Sequence, residues 1–215
     1  MTEAQVGVKG PNGLDRRKAA TRAALIDAAQ RLMAEGRTHV PIAEITEAAG
    51  LGTGSFYNHF GTKQELFAAA TQAALEAHAT ILDSLAGDIT DPATVFAQSF
   101  RLTGRMHRLE PQLSKVVISN GLNGVRTDVG MARYARRDIE AAVEAGRFKV
   151  SSIDAAMLVV IGSTLALGHT LHDRPDLDDA ELTDQVAHDL LVVLGLTRRE
   201  AARICRRPLP DLSPG

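Results

Sequence analysis

Apolar residues recur at three- and four-residue spacing along most of the chain, and no segment alternates as a strand would. The first run sets Leu25, Ile26, Ala29, Leu32 and Met33 on one face, and Gly36 suits its end because glycine enters the left-handed conformation cheaply. Pro41 opens a second, short segment with Ile42, Ile45 and Ala49 on one side and Gly50 behind it; proline at a first helical position sacrifices no hydrogen bond. A third short helix is expected from about Thr53 to Phe60. Thr62 and Glu65 have capping-box spacing ahead of a long helix carrying Leu66, Phe67, Ala70, Ala74, Ile81, Leu82 and Leu85.

The periodicity continues to the far end. Asp91 and Pro92 start a helix with Val95, Phe96, Ser99, Phe100, Thr103 and Met106 on its face, Pro111 a short one ending near Gly121, and residues 127–145 another, with Gly146 behind it. Ser152 caps a segment from Ile153 to His172 that is apolar nearly all round, the mark of a helix covered on more than one side. Asp178 with Glu181, then Thr197 with Glu200, predict the last two helices. The pattern predicts an all-α protein of about nine or ten helices. It divides into an arm (1–14), a three-helix unit (15–62), a larger helical bundle (63–207) and a tail (208–215).

Composition narrows the class. Of 215 residues 45% are hydrophobic, 4% aromatic and 23% charged, which excludes a disordered charged tail and disfavours a β-sandwich. The one cysteine, Cys205, makes neither an internal disulfide nor a multi-cysteine zinc site. No secretory leader is expected, and the longest apolar stretch, Ala155 to Leu167, reads as too short to span a bilayer, so the expected location is the cytoplasm. The net charge of −2 is unevenly spread: residues 1–63 carry eight Lys/Arg against six Asp/Glu, and residues 64–215 sixteen against twenty. A nucleic-acid partner is therefore to be sought at the N-terminal end, where Lys9, Arg16, Arg17 and Lys18 suggest a mobile cationic arm.

That end holds the most informative segment. Two short apolar helices meet at the tight turn Gly50–Leu51–Gly52, which is helix-turn-helix spacing. Phe56 and Phe60 fix the inner side of the second helix; Thr53, Ser55, Tyr57, Asn58 and His59 occupy the other, as hydrogen-bonding groups suited to phosphates and base edges. Ala48-Ala49-Gly50-Leu51, Gly54, Phe56-Tyr57, His59-Phe60, Lys63 and Leu66, preceded by Leu25-Ile26, Ala28-Ala29, Leu32-Met33 and Gly36, resemble the tetracycline-repressor (TetR) family of bacterial transcription regulators. The resemblance covers roughly residues 20–67. It implies a homodimeric, helix-turn-helix regulator that binds double-stranded operator DNA and releases it when a small molecule enters the C-terminal helical domain. It also implies that Thr53, Ser55, Tyr57, Asn58 and His59 face DNA and that Lys63 touches phosphate. The chain departs from the family at Val40 and Gly52, where a hydroxyl residue often caps the following helix; Pro41 or Thr53 would have to compensate.

Other positions suggest chemistry more weakly. Arg101, Arg105 and His107 lie on a helix that would flank a ligand pocket and could hold an anionic group, although solvated charge is the plainer reading. His169, His172 and Asp173, with Asp184 and His188, have chelating spacings, but helix-end histidines explain them as well, and no metal or cofactor is expected. Five arginines between Arg198 and Arg207 read as a solvated terminus or dimer rim, and they could lower the thiol pKa of Cys205. No nucleophile elbow, phosphate loop or di-iron helical pair is present, and Ser99, Ser119 and Ser163 have no evident base, so no catalytic residue is expected. A two-fold interface is expected to use Leu158, Ile161, Leu165 and His169 on one helix and Ala187, Leu190, Leu191 and Leu194 on the next. The competing class is a helical small-molecule-binding module or enzyme whose N-terminal corner is only structural. Effector, operator and the choice between repression and activation lie outside what the sequence specifies.

Overall fold

The computed structural model describes residues 13–111, 113–115, 118 and 131–210. They contain helices and turns, with no strand among them. The helices are α1 (Gly13–Ala34), α2 (Ile42–Ala48), α3 (Thr53–Tyr57), α4 (Lys63–Ala86), α5 (Pro92–Leu109), α6 (Met131–Glu144), α7 (Ile153–Asp173), α8 (Asp179–Val193) and α9 (Arg198–Cys205), with further helical residues at 111, 113–115 and 118. The chain forms two compact units that divide between Ala73 and Ala74, inside α4, where the sequence suggested 62/63. The reason is local: Leu66 and Ala70 on the first turns of α4 complete the core of the N-terminal unit.

In that unit Leu25, Ile26, Ala29 and Leu32 of α1 pack with Ile45 of α2, Phe56 of α3 and Phe60 behind it. Gly36 and Gly50 both have positive φ, at 74° and 66°, the conformations their places after α1 and α2 required. Helix α1 begins at Gly13, well ahead of its apolar face, so Arg16, Arg17 and Lys18 ride on a helix instead of a mobile stretch; Lys9 lies outside the described residues.

In the second unit α5 is central and packs on α6, α7, α8 and α9. Its Phe96 and Phe100 meet Phe148, Met157, Leu190 and Leu191 in one core. Helix starts follow the sequence closely: Ser152 accepts from Ala155 N, Asp178 from Glu181 N, and Thr197 and Glu200 form a complete capping box. Two expectations change. Ala187, Leu190, Leu191 and Leu194, expected at a two-fold interface, are buried by the chain's own helices; Leu191 is 0% exposed. The stretch judged too short for a membrane belongs to a 21-residue helix, α7, whose apolar window has a mean hydropathy of 1.5 and is 28% buried, so length and composition alone would allow it to cross.

Candidate nucleic-acid interface and the polar interior of the helical unit

The turn at Gly50 aims α3 so that Phe56 points inward and is fully buried, with Phe60 beside it at a ring separation of 6.1 Å. That leaves Thr53, Gly54, Tyr57 and Asn58 exposed and Ser55 and His59 half-buried, all from one short element and the turn after it. None of the side chains of Thr53, Ser55, Asn58 or His59 hydrogen-bonds another described residue, and Tyr57, 62% exposed, meets the Phe56 ring edge-on. A Cβ placed at Gly52 or Gly54 would meet nothing within 4 Å, so the backbone there is bare on its outer side. Neither α2 nor α3 has a side-chain cap; their cap positions are Pro41 and Gly52, so nothing replaces the missing hydroxyls.

The corner is braced from behind. Lys63 Nζ donates to Val40 O at 2.8 Å, closing the entry to α2 against the start of α4. Arg31 donates to Ala48 O at 2.8 Å and Gln30 to Ala70 O at 3.0 Å. Arg37 pairs with Glu35 and Glu44. The Arg22 guanidinium lies 5.1 Å from the Phe60 ring centroid, a cation–π contact. Thr62 Oγ1 accepts from Glu65 N, and Glu65 reaches back to Gly61 N instead of the usual capping-box partner. Lys63 is thus a strut of the fold as well as a cation near the proposed surface.

The charged candidates of the second unit are committed elsewhere. Arg101, nearly buried, forks onto both oxygens of Asp184 at 2.8 Å and donates to Arg207 O; Arg105 joins the same carboxylate at 2.8 Å and donates to Asp179 O. Burial opposes ionisation of Asp184, but hydrogen bonds from the two arginines outweigh it and hold the carboxyl below its ordinary range. This network staples α5 to α8 and to the turn after α9, and it leaves neither guanidinium free for an anionic ligand. The metal spacings do not converge: His172 bonds Ser114, His188 bonds Asp189, and no group of three or more His, Cys, Asp or Glu could hold an ion among the described residues. Cys205 is buried, and burial pushes its thiol up instead of down. It lines an open groove of about 590 Å³ with Glu181, Asp184, His188 and Arg206.

His107 is the candidate whose surroundings the sequence did not show. It is 1% exposed, and its Nδ1 lies 2.6 Å from Ser114 Oγ, which in turn lies 2.8 Å from His172 Nε2. Burial, with the nearby His172, pushes its pKa down to about 4. The Nε2 atoms of His107 and of His78, on α4, are buried without a hydrogen-bond partner. Ser119, named above as an isolated hydroxyl, lies outside the described residues.

A family model described as "Tetracyclin repressor-like, C-terminal domain" matches residues 91–207, and one described as "Bacterial regulatory proteins, tetR family" matches residues 25–70. Among solved structures, RolR in complex with the ligand resorcinol is 33% identical with a TM-score of 0.69, covering 92% of this chain and 99% of that one. SmeT, the repressor of the Stenotrophomonas maltophilia multidrug efflux pump SmeDEF, is 19% identical with a TM-score of 0.57, covering 90% of this chain and 99% of that one. FadR from Bacillus subtilis, bound to stearoyl-CoA, is 14% identical with a TM-score of 0.60, covering 79% and 97%. The last two are likenesses of fold. No curated protein matches the chain.

Proposed function

We propose that this chain, which belongs to the tetracycline-repressor family of bacterial transcription regulators, is a repressor that works in the cytoplasm as a homodimer and leaves its operator when a small molecule binds in the helical unit. The observation that carries the reading is the outer side of α3. Five hydrogen-bonding side chains from Thr53 to His59, three of them exposed and two half-buried, surround a core fixed by Phe56 and make no side-chain hydrogen bonds to other described residues. Thr53, Ser55 and Asn58 read base edges; Tyr57, His59 and Lys63 position the duplex through its backbone. The effector is a small phenolic compound, in keeping with the resorcinol bound by the 33% identical RolR. The dimer uses the outward stripe of α7, where Leu158 and Val159 are exposed, together with Val193 at the end of α8.

The test is fluorescence anisotropy of the full chain with duplexes tiled across the DNA upstream of its gene. The expected result is salt-dependent binding to one imperfect palindrome, with release on adding resorcinol. Absence of binding to every fragment at low salt would favour the module whose helix-turn-helix is only structural.

A further inference from the structure

The second unit buries a chain of polar side chains in a place where helical bundles ordinarily hold only apolar ones. His107 on α5, Ser114 and His172 on α7 form a continuous hydrogen-bonded line, with Ser114 0% exposed. A serine hydroxyl has one proton, so between two imidazoles it donates to one ring and accepts from the other. The tautomers of His107 and His172 are therefore locked to each other. Gly168 completes the seat: a Cβ there would lie 2.6 Å from His107 Cε1, so the ring fits only because α7 carries no side chain at that point. A residue held this firmly presents its remaining nitrogen in a fixed direction, and that nitrogen, Nε2, makes no hydrogen bond among the described residues; nor does Nε2 of His78, close enough to His107 to disfavour its protonation. Leaving a buried polar atom unpaired costs about 1–3 kcal/mol, and proteins seldom leave two together without something to meet them.

We propose that His107 and His78 recognise the hydroxyl group of an uncharged effector, with Ser114 and His172 as positioning residues that orient the His107 ring. The proposal rests on the ligand-responsive reading above and names the chemistry that the ligand must carry. The two rings offer no charge of their own to a ligand ion. Burial keeps both neutral at physiological pH; on the helix of His107, Arg101 and Arg105 are bound to Asp184 and Arg108 donates to the Arg174 and Leu177 carbonyls, while Lys115 and Arg108 act on His172, at the other end of the hydrogen-bonded line. The Thr164 carbonyl favours a protonated His107 but is outweighed by burial. A carboxylate only accepts and an ammonium only donates, so each would fix one tautomer of the Ser114-linked pair and would bring a charge against two buried neutral rings that cannot compensate it. A hydroxyl donates and accepts, and it satisfies either.

The experiment uses the whole chain, uniformly labelled at histidine, with resorcinol, phenol and benzoate as probes. Imidazole ¹⁵N resonances of His107 and His78 are followed during titration, while calorimetry gives affinities and operator anisotropy is read in parallel. The expected result is that resorcinol and phenol bind more tightly than benzoate and shift both Nε2 resonances. His107→Phe and His78→Phe should each weaken resorcinol by about tenfold or more, whereas Ser114→Ala should weaken it less and alter the tautomer signature of His107. Because the resonance shifts are read on the unsubstituted protein, a variant that fails to fold does not decide the matter. Resorcinol binding with both Nε2 resonances unmoved, stronger binding of benzoate than of phenol, or no binding of either phenol would overturn the proposal. Occupancy by an ordered water alone would appear as resonances indifferent to every probe. In each of these cases, operator binding that some other small molecule releases leaves the repressor reading intact, and failure of operator binding alone removes it.

Discussion

Lys63 commits one of its three ammonium donors to Val40 O, 2.8 Å away, and stays only half-buried, so the other two can reach a phosphate. Lys63→Ala should therefore act twice. The slope of log K against log salt should fall by about one unit, and the melting midpoint should drop with the loss of the strut on α2. A lower midpoint with an unchanged slope would make Lys63 a strut alone. Asn58→Ala should leave the slope nearly unchanged and alter operator preference by about 1–3 kcal/mol at one position. The face of α3 was legible because the Phe56 and Phe60 spacing fixes its inside; the strut was not, because nothing local couples Lys63 to Val40. His107 gives a pH prediction. Unfolded, its imidazole takes a proton near 6.5; folded, burial holds the pKa down to about 4. Between those values the unfolded chain binds more protons, so stability falls as pH drops from about 6.5 towards 4 and this contribution levels off below. Denaturant titrations at several pH values should show that slope flattened in His107→Phe; equal slopes would mean that the ring titrates as it does in water.

The helices themselves are local events, which is why their starts could be read so directly. Thr197 and Glu200 satisfy each other's backbone at the head of α9, with Glu200 also meeting Arg147 at 3.1 Å. Thr197→Ala should cost about 1 kcal/mol, visible in urea unfolding with an unchanged denaturant slope; a neutral outcome would mean that Arg147 and the core under Ala201 hold the helix unaided. How helices cross is not local. At the α5–α8 contact a Cβ on Gly104 would sit 2.2 Å from Thr183 Cγ2 and 2.8 Å from its Cβ, too close for a short branched side chain to evade. Gly104→Ala should destabilise by about 1–3 kcal/mol through overpacking, and Thr183→Ala in the same chain should recover most of it. Lack of recovery would place the strain elsewhere on α5. No sequence spacing joins Gly104 to Thr183, and the same distance along the chain hid Asp184 from Arg101 and Arg105. Those arginines looked like candidates for an anion because their partner was on another helix.

For the whole molecule, periodicity says that a face is apolar but not what covers it. Helix α8 shows the consequence: Ala187, Leu190, Leu191 and Leu194 have the stripe of an interface, and the chain's own α5, α7 and α9 already enclose them. The apolar surface left over is on α7, with Leu158 58% exposed and Val159 beside it, and at Val193, 62% exposed. Around them Gly162 and Ala166 are exposed and small, which lets a second helix approach closely. Two copies meeting through this face would bury what one copy cannot, and two-fold symmetry would then match a palindromic operator. Sedimentation at micromolar concentration should give a mass near twice 22.9 kDa. Leu158→Glu puts a charge where the partner's apolar surface would lie; it should yield a folded monomer with weakened operator binding, because one half-site supplies only part of the contacts. Leu191→Glu should fail differently, by unfolding the second unit, since a carboxylate there would be buried without a partner. If Leu158→Glu remains dimeric and binds DNA normally, the α7 stripe is covered by something else. Co-flotation of the unsubstituted chain with lipid vesicles would identify that cover as a bilayer, consistent with the length and hydropathy of α7.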